Sequence, residues 1–227
     1  MSMSNVVSGI ARYLSNDVDA LDVISQNIAN MHTTGYRNER LKTDFRTGIL
    51  EPVPTLSMLD GTLTKTGKPL DLAIQGPGFF VVDAGGKEML TRNGQFHIDA
   101  DQQLVDAAGH PVQGQSGPIS LTHAGVHVNA AGEIVDGDKS VDSLRIVAVD
   151  TPSALQEAGD GLYTYTGTSA DWNGSIHQGS LEQSNVDAST EMVRLMELTR
   201  HAQSVQRAIA AYDEAMQAGI NHIGDNT

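Results

Sequence analysis

Apolar side chains recur every three to four residues in the first and last segments of the chain, which is the spacing of one face of an α-helix. In the first segment the one polar residue in this register is Asp17, and a polar residue at such a position usually fixes register or partner choice. The pattern predicts two amphipathic helices whose apolar faces form an assembly seam. The seam residues are Val7, Ile10, Leu14, Leu21, Ile24 and Ile28 in the first helix, and Leu195, Leu198, Val205, Ile209, Tyr212 and Met216 in the last.

Local signals bound the last helix. Ser184, followed by Asp187 three residues later, predicts a capping box before it. Gly224 is predicted to end it.

Between the helices the apolar positions alternate with a period of two, in short runs separated by turn residues, and this pattern is typical of β-strands. Strands are predicted at 79–82, 89–91 and 95–98, joined by two-residue hairpin turns at Gly85-Gly86 and Asn93-Gly94. Further strands are predicted at 103–105, 119–121, 126–128, 133–135, 144–149 and 162–166.

The predicted fold class is α+β, with discontinuous N- and C-terminal helices that pair in a coiled-coil-like bundle and an inserted all-β domain. Residues 1–32 and 186–227 form the predicted helical assembly domain, and residues 71–167 the β domain. Residues 33–70 and 168–185 are rich in Gly, Thr, Ser, Pro and Asn, and are predicted to be extended connectors.

The amino-acid composition excludes several classes of protein function. The 227 residues include no cysteine, which excludes a disulfide framework, a thiolate zinc site and a cysteine nucleophile. The net charge of −14 disfavours binding to nucleic acid or to anionic membranes, and residues 51–185 carry most of it, with six basic and seventeen acidic groups. No apolar run approaches a spanning helix and no secretory signal precedes residue 15, so neither membrane insertion nor a cleaved signal peptide is expected.

The residue types that carry chemistry do not converge in the sequence. His123 and His127 lie four apart, but no third ligand falls at a metal-site spacing. The acidic run at 136–142 has Val141 where a calcium loop needs glycine. Gly76-Pro77-Gly78 precedes a strand rather than a helix, so it is read as a turn. We therefore predict no catalytic residue, no cofactor and no metal, and no enzyme activity.

The terminal helices leave three arrangements open. They can close on each other as an ordinary helical pair, or pack in addition against helices of other copies, because Val6, Val18, Met192 and Met196 lie beside the seam. A membrane-surface helix is disfavoured by aspartates on the polar face.

A different class of protein also fits the sequence, namely a β-domain binding protein or enzyme with a helical oligomerisation arm. Such a protein should show a pocket with converging carboxylates. A scaffold or secreted adhesin that shares the helices is the remaining alternative.

Several stretches of the sequence resemble those of a known protein family. The run from Gln26 to Arg37, QNIANMHTTGYR, resembles the N-terminal signature of bacterial flagellar rod and hook proteins. Later signatures of the same family are similar to residues 61–82, to 91–96 with 104–105, and to 179–187 leading to 191–192. The signature residues are Asn27, Ala29, Asn30, Thr33, Gly35, Tyr36, Gly76, Gly78, Phe79, Phe80, Asn93, Gly94, Leu181, Ser184, Asn185, Val186, Glu191 and Met192.

The resemblance implies a structural subunit of the flagellar basal-body rod, which crosses the periplasm, polymerises helically and transmits motor torque to the hook. Within the family the chain is most similar to the proximal rod subunits, with a distal rod or hook-type subunit as the alternative. The implied partners are copies of itself, other rod subunits including the distal rod protein, and the flagellar type III export apparatus. Phe45 and Ile49 are similar to the short export motif of early flagellar substrates.

Overall fold

A computed structural model describes residues 3–42, 53–170 and 172–224. These residues divide into two compact units. The helical unit contains residues 3–28 and 187–224, and the β unit contains residues 29–42 and 53–186. Two helices and a large β-rich region make this the α+β class predicted from the sequence.

The helical unit consists of α1, Met3–Ala29, and α2, Ala188–Gly224. Their 27 and 37 residues correspond to lengths of about 40 and 55 Å at a rise of about 1.5 Å per residue. Among the described residues, neither these helices nor any other has the length and hydropathy that a bilayer crossing requires.

Asp187 is the N-cap of α2. Its Oδ1 accepts the Thr190 N–H at 2.7 Å, which satisfies one of the free backbone donors of the first turn. Hydrogen bonds from Thr190 lower the pKa of the Asp187 carboxyl. The predicted capping box with Ser184 at the cap is therefore wrong, because the helix starts three residues later and Ser184 Oγ instead accepts the Val186 N–H at 3.2 Å.

The β unit contains seventeen short strands and a 3₁₀ turn at Pro152–Ala154 among the described residues. The strands are β1 Glu39–Lys42, β2 Val53–Leu56, β3 Leu63–Lys65, β4 Leu72–Gln75, β5 Phe79–Asp83, β6 Glu88–Thr91, β7 His97–Ile98, β8 Leu104–Val105, β9 His127–Val128, β10 Glu133–Asp136, β11 Lys139–Ser143, β12 Ile146–Val149, β13 Leu155–Gly159, β14 Leu162–Tyr165, β15 Ser169–Ala170, β16 Ser175–Gln178 and β17 Ser180–Glu182.

The central sheet has six antiparallel strands in the order β13-β14-β6-β5-β12-β15. A three-stranded sheet, β11-β10-β9, and four two-stranded pairs, β1-β2, β16-β4, β17-β3 and β7-β8, complete the unit. Strands β5 and β6 are joined by the predicted hairpin at Gly85-Gly86, which is confirmed. Both glycines have positive φ, +66° and +82°, and Ala84 N–H donates to Lys87 O at 2.9 Å.

The hairpin predicted at Asn93-Gly94 is wrong. Strand β7 pairs with β8 and not with β6, and neither Asn93 nor Gly94 has a positive φ. Gly94 instead lies against the start of β4, where its carbonyl accepts the Leu72 N–H at 2.9 Å. A Cβ at this position would lie 1.6 Å from Leu72 O, so close passage of two backbones requires the glycine.

The segments predicted as connectors contain paired strands. Residues 33–70 contribute β1, β2 and β3, and residues 168–185 contribute β15, β16 and β17. The pairs β17-β3 and β16-β4 join the early part of the β unit to its end. Strands β3 and β17 have only three residues each, with one apolar residue apiece, so they lack the apolar alternation that marks a strand in sequence.

The core of the β unit lies on both faces of β5. Phe80 packs edge-on against Phe96 with ring centroids 5.1 Å apart, inside the larger apolar cluster. On the other face Phe79 packs against Tyr163 at 5.8 Å, within a smaller cluster. Gly76-Pro77-Gly78 leads into this buried strand, as predicted.

Candidate functional site

Four charged residues from distant parts of the β unit meet: Arg37, Arg92 and Glu182, which are buried, and Asp60, whose side chain is 34% exposed. They are here called the arginine cluster. Arg92 is fully buried and lies between both carboxylates, with its Nε 2.5 Å from Glu182 Oε2 and its Nη2 2.9 Å from Asp60 Oδ1. Its remaining donors bond to the carbonyls of Ile74, at 3.0 Å, and Gly78. Every nitrogen of this buried guanidinium therefore donates to at least one acceptor.

Arg37 occupies the other side of the same carboxylates. Its Nη2 lies 3.1 Å from Glu182 Oε1 and 3.2 Å from Asp60 Oδ1, and its Nη1 donates to Leu59 O. Backbone donors complete the carboxylates, because Gly61 N–H donates to Glu182 at 2.7 Å and Gly76 N–H donates to Asp60 at 2.8 Å. The cluster thus ties together four segments that are far apart in sequence.

The two arginines of the cluster balance its two carboxylates in charge. Burial, together with the neighbouring Arg37 charge, lowers the pKa of Arg92, while Glu182 and Asp60 oppose that shift. Both arginines and Glu182 are at most 2% exposed. Removing one partner would leave an uncompensated charge in the interior, which is strongly destabilising.

Signature residues surround this cluster. Asn185 Oδ1 accepts the Asn38 N–H at 2.6 Å, and its Nδ2 donates to the carbonyls of Leu59, at 2.6 Å, and Ser57, at 3.3 Å. The Asn185 side chain thereby joins the last segment of the β unit to the segments around residues 38 and 57–59 near its beginning.

Two signature glycines leave no room for a side chain beside the cluster, Gly35 against backbone atoms and Gly78 against the Trp172 side chain. Gly35 has a φ of +70°, its N–H donates to Glu182 O at 2.8 Å, and a Cβ there would lie 2.5 Å from the Arg92 carbonyl carbon. A Cβ at Gly78 would lie 2.6 Å from Trp172 Cδ1. Larger residues at either position would push the packed segments apart.

The first signature also forms a tight turn after α1. Thr33 N–H donates to Asn30 O at 3.0 Å, and Tyr36 N–H donates to Thr33 O at 3.2 Å. Of the signature residues, Asn27, Gly35, Tyr36, Gly78, Phe79, Phe80, Gly94, Leu181 and Glu191 are buried, Asn30, Gly76, Asn93, Ser184, Asn185 and Val186 are half-buried, and Ala29, Thr33 and Met192 are exposed.

In the helical unit, several large apolar side chains face solvent. The exposed fractions are 37% for Leu14, 57% for Val18, 42% for Leu21, 46% for Met192, 59% for Met196 and 37% for Tyr212. Ile24 is buried, and Ile28, Leu195, Leu198, Val205 and Ile209 are half-buried. The side chains of Val6, Val7, Ile10 and Met216 are not described, and Phe45 and Ile49 lie outside the described residues.

Polar side chains connect the two helices. Asn27 Nδ2 donates to Glu191 Oε2 at 3.5 Å, and Arg194 Nη1 lies 3.2 Å from the other Glu191 oxygen. His201 Nδ1 lies 3.0 Å from Asp17 Oδ2. Asp17, the polar position in the predicted seam, therefore meets a polar partner on α2.

The arginine cluster was not predicted from the sequence. Arg37, Arg92 and Glu182 each stand inside a signature stretch, so their presence there was the available signal. Asp60 precedes Gly61 in a stretch that composition assigned to a connector. Nothing in local spacing indicates that these four charges meet.

His123 Nε2 lies 3.3 Å from Asp136, but within the described residues no three potential metal-ligating side chains gather. An open depression of about 480 Å³ is lined mainly by apolar atoms, and Asp71 is the one carboxylate in its lining. This depression does not bring carboxylates together.

Comparison with known proteins places these features in a family. Residues 14–37 match the family described as flagella basal body rod protein, residues 73–138 match the flagellar hook protein FlgE/F/G D1 domain, and residues 177–222 match the flagellar basal body rod FlgEFG protein C-terminal family. The two terminal matches include most of the signature residues.

Individual relatives match this chain over most of its length. It is 34% identical to the flagellar basal-body rod protein FlgF of Caulobacter vibrioides, over 90% of this chain and 91% of that protein. It is 30% identical to FlgF of Escherichia coli over 85% and 87% of the two chains, and 28% identical to FlgG of Bacillus subtilis over 96% and 98%.

The chain therefore belongs to the flagellar basal-body rod protein family. Within that family it is FlgF-like, and it is a structural subunit of the rod, as the sequence resemblance implied. The relatives carry the names of structural rod proteins and not of enzymes.

Proposed function

We propose that the chain polymerises helically, with copies of itself and with other rod subunits including the distal rod protein, through the apolar faces of its terminal helices. The resulting tube crosses the periplasm and transmits motor torque to the hook. The role is mechanical and not catalytic. A heterologous contact that does not close into a ring builds such a helical assembly.

The exposed apolar residues of α1 and α2 carry this proposal. Val18 and Met196 are more than half exposed, and Leu14, Leu21 and Met192 more than a third. Monomeric proteins rarely leave adjacent large apolar side chains in water, and such patches mark interaction sites. A coiled-coil-like packing of α1 and α2, with further helices of neighbouring copies, would bury them.

The β unit supports the same role as a rigid body. The arginine cluster holds its first, middle and last segments together, and a load applied to one segment therefore reaches the others through buried charged hydrogen bonds. We propose that the β units form the outer layer of the tube.

Passage through the flagellar type III export apparatus is part of the proposal. It is tested by substituting Phe45→Ala and Ile49→Ala together and measuring the chain outside the cytoplasm of cells that carry it. Unchanged export would remove these two residues from the proposal.

Leu21→Asp tests the helical contact directly. Leu21 is 42% exposed, so the substitution leaves the free chain folded while placing a charge in the proposed contact. We expect a deletion strain complemented with Leu21→Asp to be non-motile in soft agar. Ser15→Asp is the matched control, because it adds the same charge at an exposed polar position of α1.

Two results would contradict the proposal. Normal swimming by the Leu21→Asp strain would show that this face does not take part in assembly. Normal swimming by the deletion strain itself would show that the chain is not needed in the rod.

A further inference from the structure

The open depression of the β unit contains a carboxylate oxygen that no other group satisfies. Its floor is formed by three buried residues, Leu70, Asp71 and Phe96, which are at most 8% exposed. Asp71 is 2% exposed, and its Oδ2 has no hydrogen-bond partner. A buried polar atom without a hydrogen bond is costly and uncommon in native proteins. The free chain therefore presents an unsatisfied acceptor at the floor of an open cavity.

The chemistry of the depression selects the kind of group that fills it. Apolar walls around about 480 Å³, with one carboxylate at the floor, fit a group with an apolar stem and a cationic end. A lysine side chain has this form, because its ammonium carries three donors on a narrow methylene stem. Residues 51–185, with six basic and seventeen acidic groups, attract such a cation.

Lys87 is presented in a way that suits entry into a cavity. It is exposed, and it follows Gly85 and Gly86 at the tip of the β5–β6 hairpin. A Cβ at either glycine would meet no atom within 4 Å, so the tip lies in open space. Asp83 Oδ1 accepts the Gly86 N–H at 2.6 Å, which holds the turn in one conformation. A turn that is already ordered loses little entropy on binding.

The other exposed lysines of the β unit are less suited to this contact. Lys65 lies within strand β3, which pairs with β17. Lys68 lies on the rim of the same depression, yet it does not donate to Asp71 Oδ2, which has no partner. Lys139 directly follows Asp138, whose charge the carboxylate of the depression would repel.

We propose that Lys87 of one copy enters the depression of a second copy and that its ammonium donates to Asp71. The proposal rests on the proposed function, because it joins neighbouring β units of the rod. Lys87 does not line the depression, so the two halves of the contact are different surfaces. Each copy offers its hairpin to one neighbour and its depression to another, which is a heterologous contact.

Asp71→Asn distinguishes a binding role of this carboxyl from a structural one. The amide keeps the shape of the side chain and removes the buried charge, so it should raise the urea midpoint of the free chain by about 0.5 M or more. A carboxylate that the fold requires would lower the midpoint instead, and that result would overturn the proposal. Lys87→Gln is the companion variant, and it should leave the midpoint unchanged because Lys87 is exposed.

The contact between copies is tested in isolated basal bodies with a water-soluble carbodiimide, which joins an ammonium to a carboxylate that it touches. Two variants are produced together in one strain, Asp71→Asn, which keeps Lys87, and Lys87→Gln, which keeps Asp71. A covalent bond between Lys87 and Asp71 can then form only between two chains. We expect mass spectrometry to find this bond in a covalent dimer, at least tenfold more abundant than in basal bodies built from Lys87→Gln alone.

Lys139→Gln is the matched control, because it removes an exposed lysine from another turn of the β unit. It should give the same yield of the Lys87–Asp71 bond as the wild-type chain. Absence of the bond from the mixed basal bodies would overturn the proposal. Asp71 joined instead to Lys68, or to a lysine of a different rod protein, would overturn the proposed occupant.

The failure of this inference can be distinguished from the failure of the proposed function. If the wild-type chain is present in basal bodies but the bond does not form, the lysine contact is wrong while the rod role stands. If the wild-type chain is missing from basal bodies, the rod role is wrong and the contact is overturned with it.

Discussion

Glu182→Gln is the sharpest perturbation of the β unit. Glu182 is 2% exposed and its two oxygens accept from Arg92, Arg37 and the Gly61 N–H, at 2.5, 3.1 and 2.7 Å. Glutamine keeps the shape but removes the charge, and its amide nitrogen must face a guanidinium on one side. Asp60 alone would then balance two buried arginines.

The magnitude follows from the burial. Removing one partner of a buried ion pair costs about 3–5 kcal/mol, since the remaining charge stays in the interior. With a urea slope of about 2 kcal/mol per M, the midpoint of unfolding should fall by roughly 2 M. The fluorescence of Trp172, the single tryptophan of the chain, reports this transition because the ring packs against the β-unit core.

An exposed ion pair provides the control. Arg145 holds Glu88 through two bonds of 2.5 and 3.0 Å, but both side chains are more than a third exposed. Glu88→Gln should therefore cost less than about 1 kcal/mol. A Glu182→Gln chain that unfolds at the same urea concentration as Glu88→Gln would refute the reasoning.

Three further perturbations test other parts of the structure. Gly94→Ala should destabilise the β unit far more than Gly109→Ala in the same urea assay, because a Cβ at 94 overlaps a carbonyl, whereas at 109 it meets open space and only the positive φ is strained. The lowered pKa of Asp187 means that its cap stabilises α2 above the usual aspartate pKa and that this contribution is lost as the pH falls through the folded-state value. Far-ultraviolet circular dichroism should show helix loss in acid for the wild type and a smaller loss for Asp187→Ala. Partial burial raises the pKa of the Glu157 carboxyl although the residue is exposed on β13, so solvent screening keeps the effect small. Glu157→Gln should stabilise the chain slightly at pH 7, with a gain that disappears below about pH 4. An equal gain at both pH values would contradict a penalty on the ionised carboxyl.

The helical spacing of three to four residues and the strand spacing of two residues predicted helices and strands well where buried positions recur regularly along the chain. The terminal helices and strands such as β5 and β14 have regular apolar spacing, and each was predicted. Strands β11 and β13 were missed because their residues are mostly polar and exposed, so pairing and not burial defines them. The sequence 119–121 makes an isolated bridge at Ser120 instead of a strand.

The functional residues also divide into those that were predicted from the sequence and those that were not. The exposed residues Val18, Met192 and Met196 were predicted from helical spacing, which is a local property. The arginine cluster depends on where distant segments meet, and no spacing along the chain encodes that meeting. Gly94 shows the same limit, because its sequence context indicates a hairpin while a contact with Leu72 decides its role.

Hydrogen–deuterium exchange of the free chain and of isolated rods tests the central claim most directly. If the terminal helices assemble the rod, peptides covering 14–28 and 192–209 should exchange quickly in the free chain and become strongly protected in rods. The β unit should be protected in both, because its core and its arginine cluster are already closed in one copy. Helices that exchange equally fast in the free chain and in rods would contradict the claim that these faces hold the rod together.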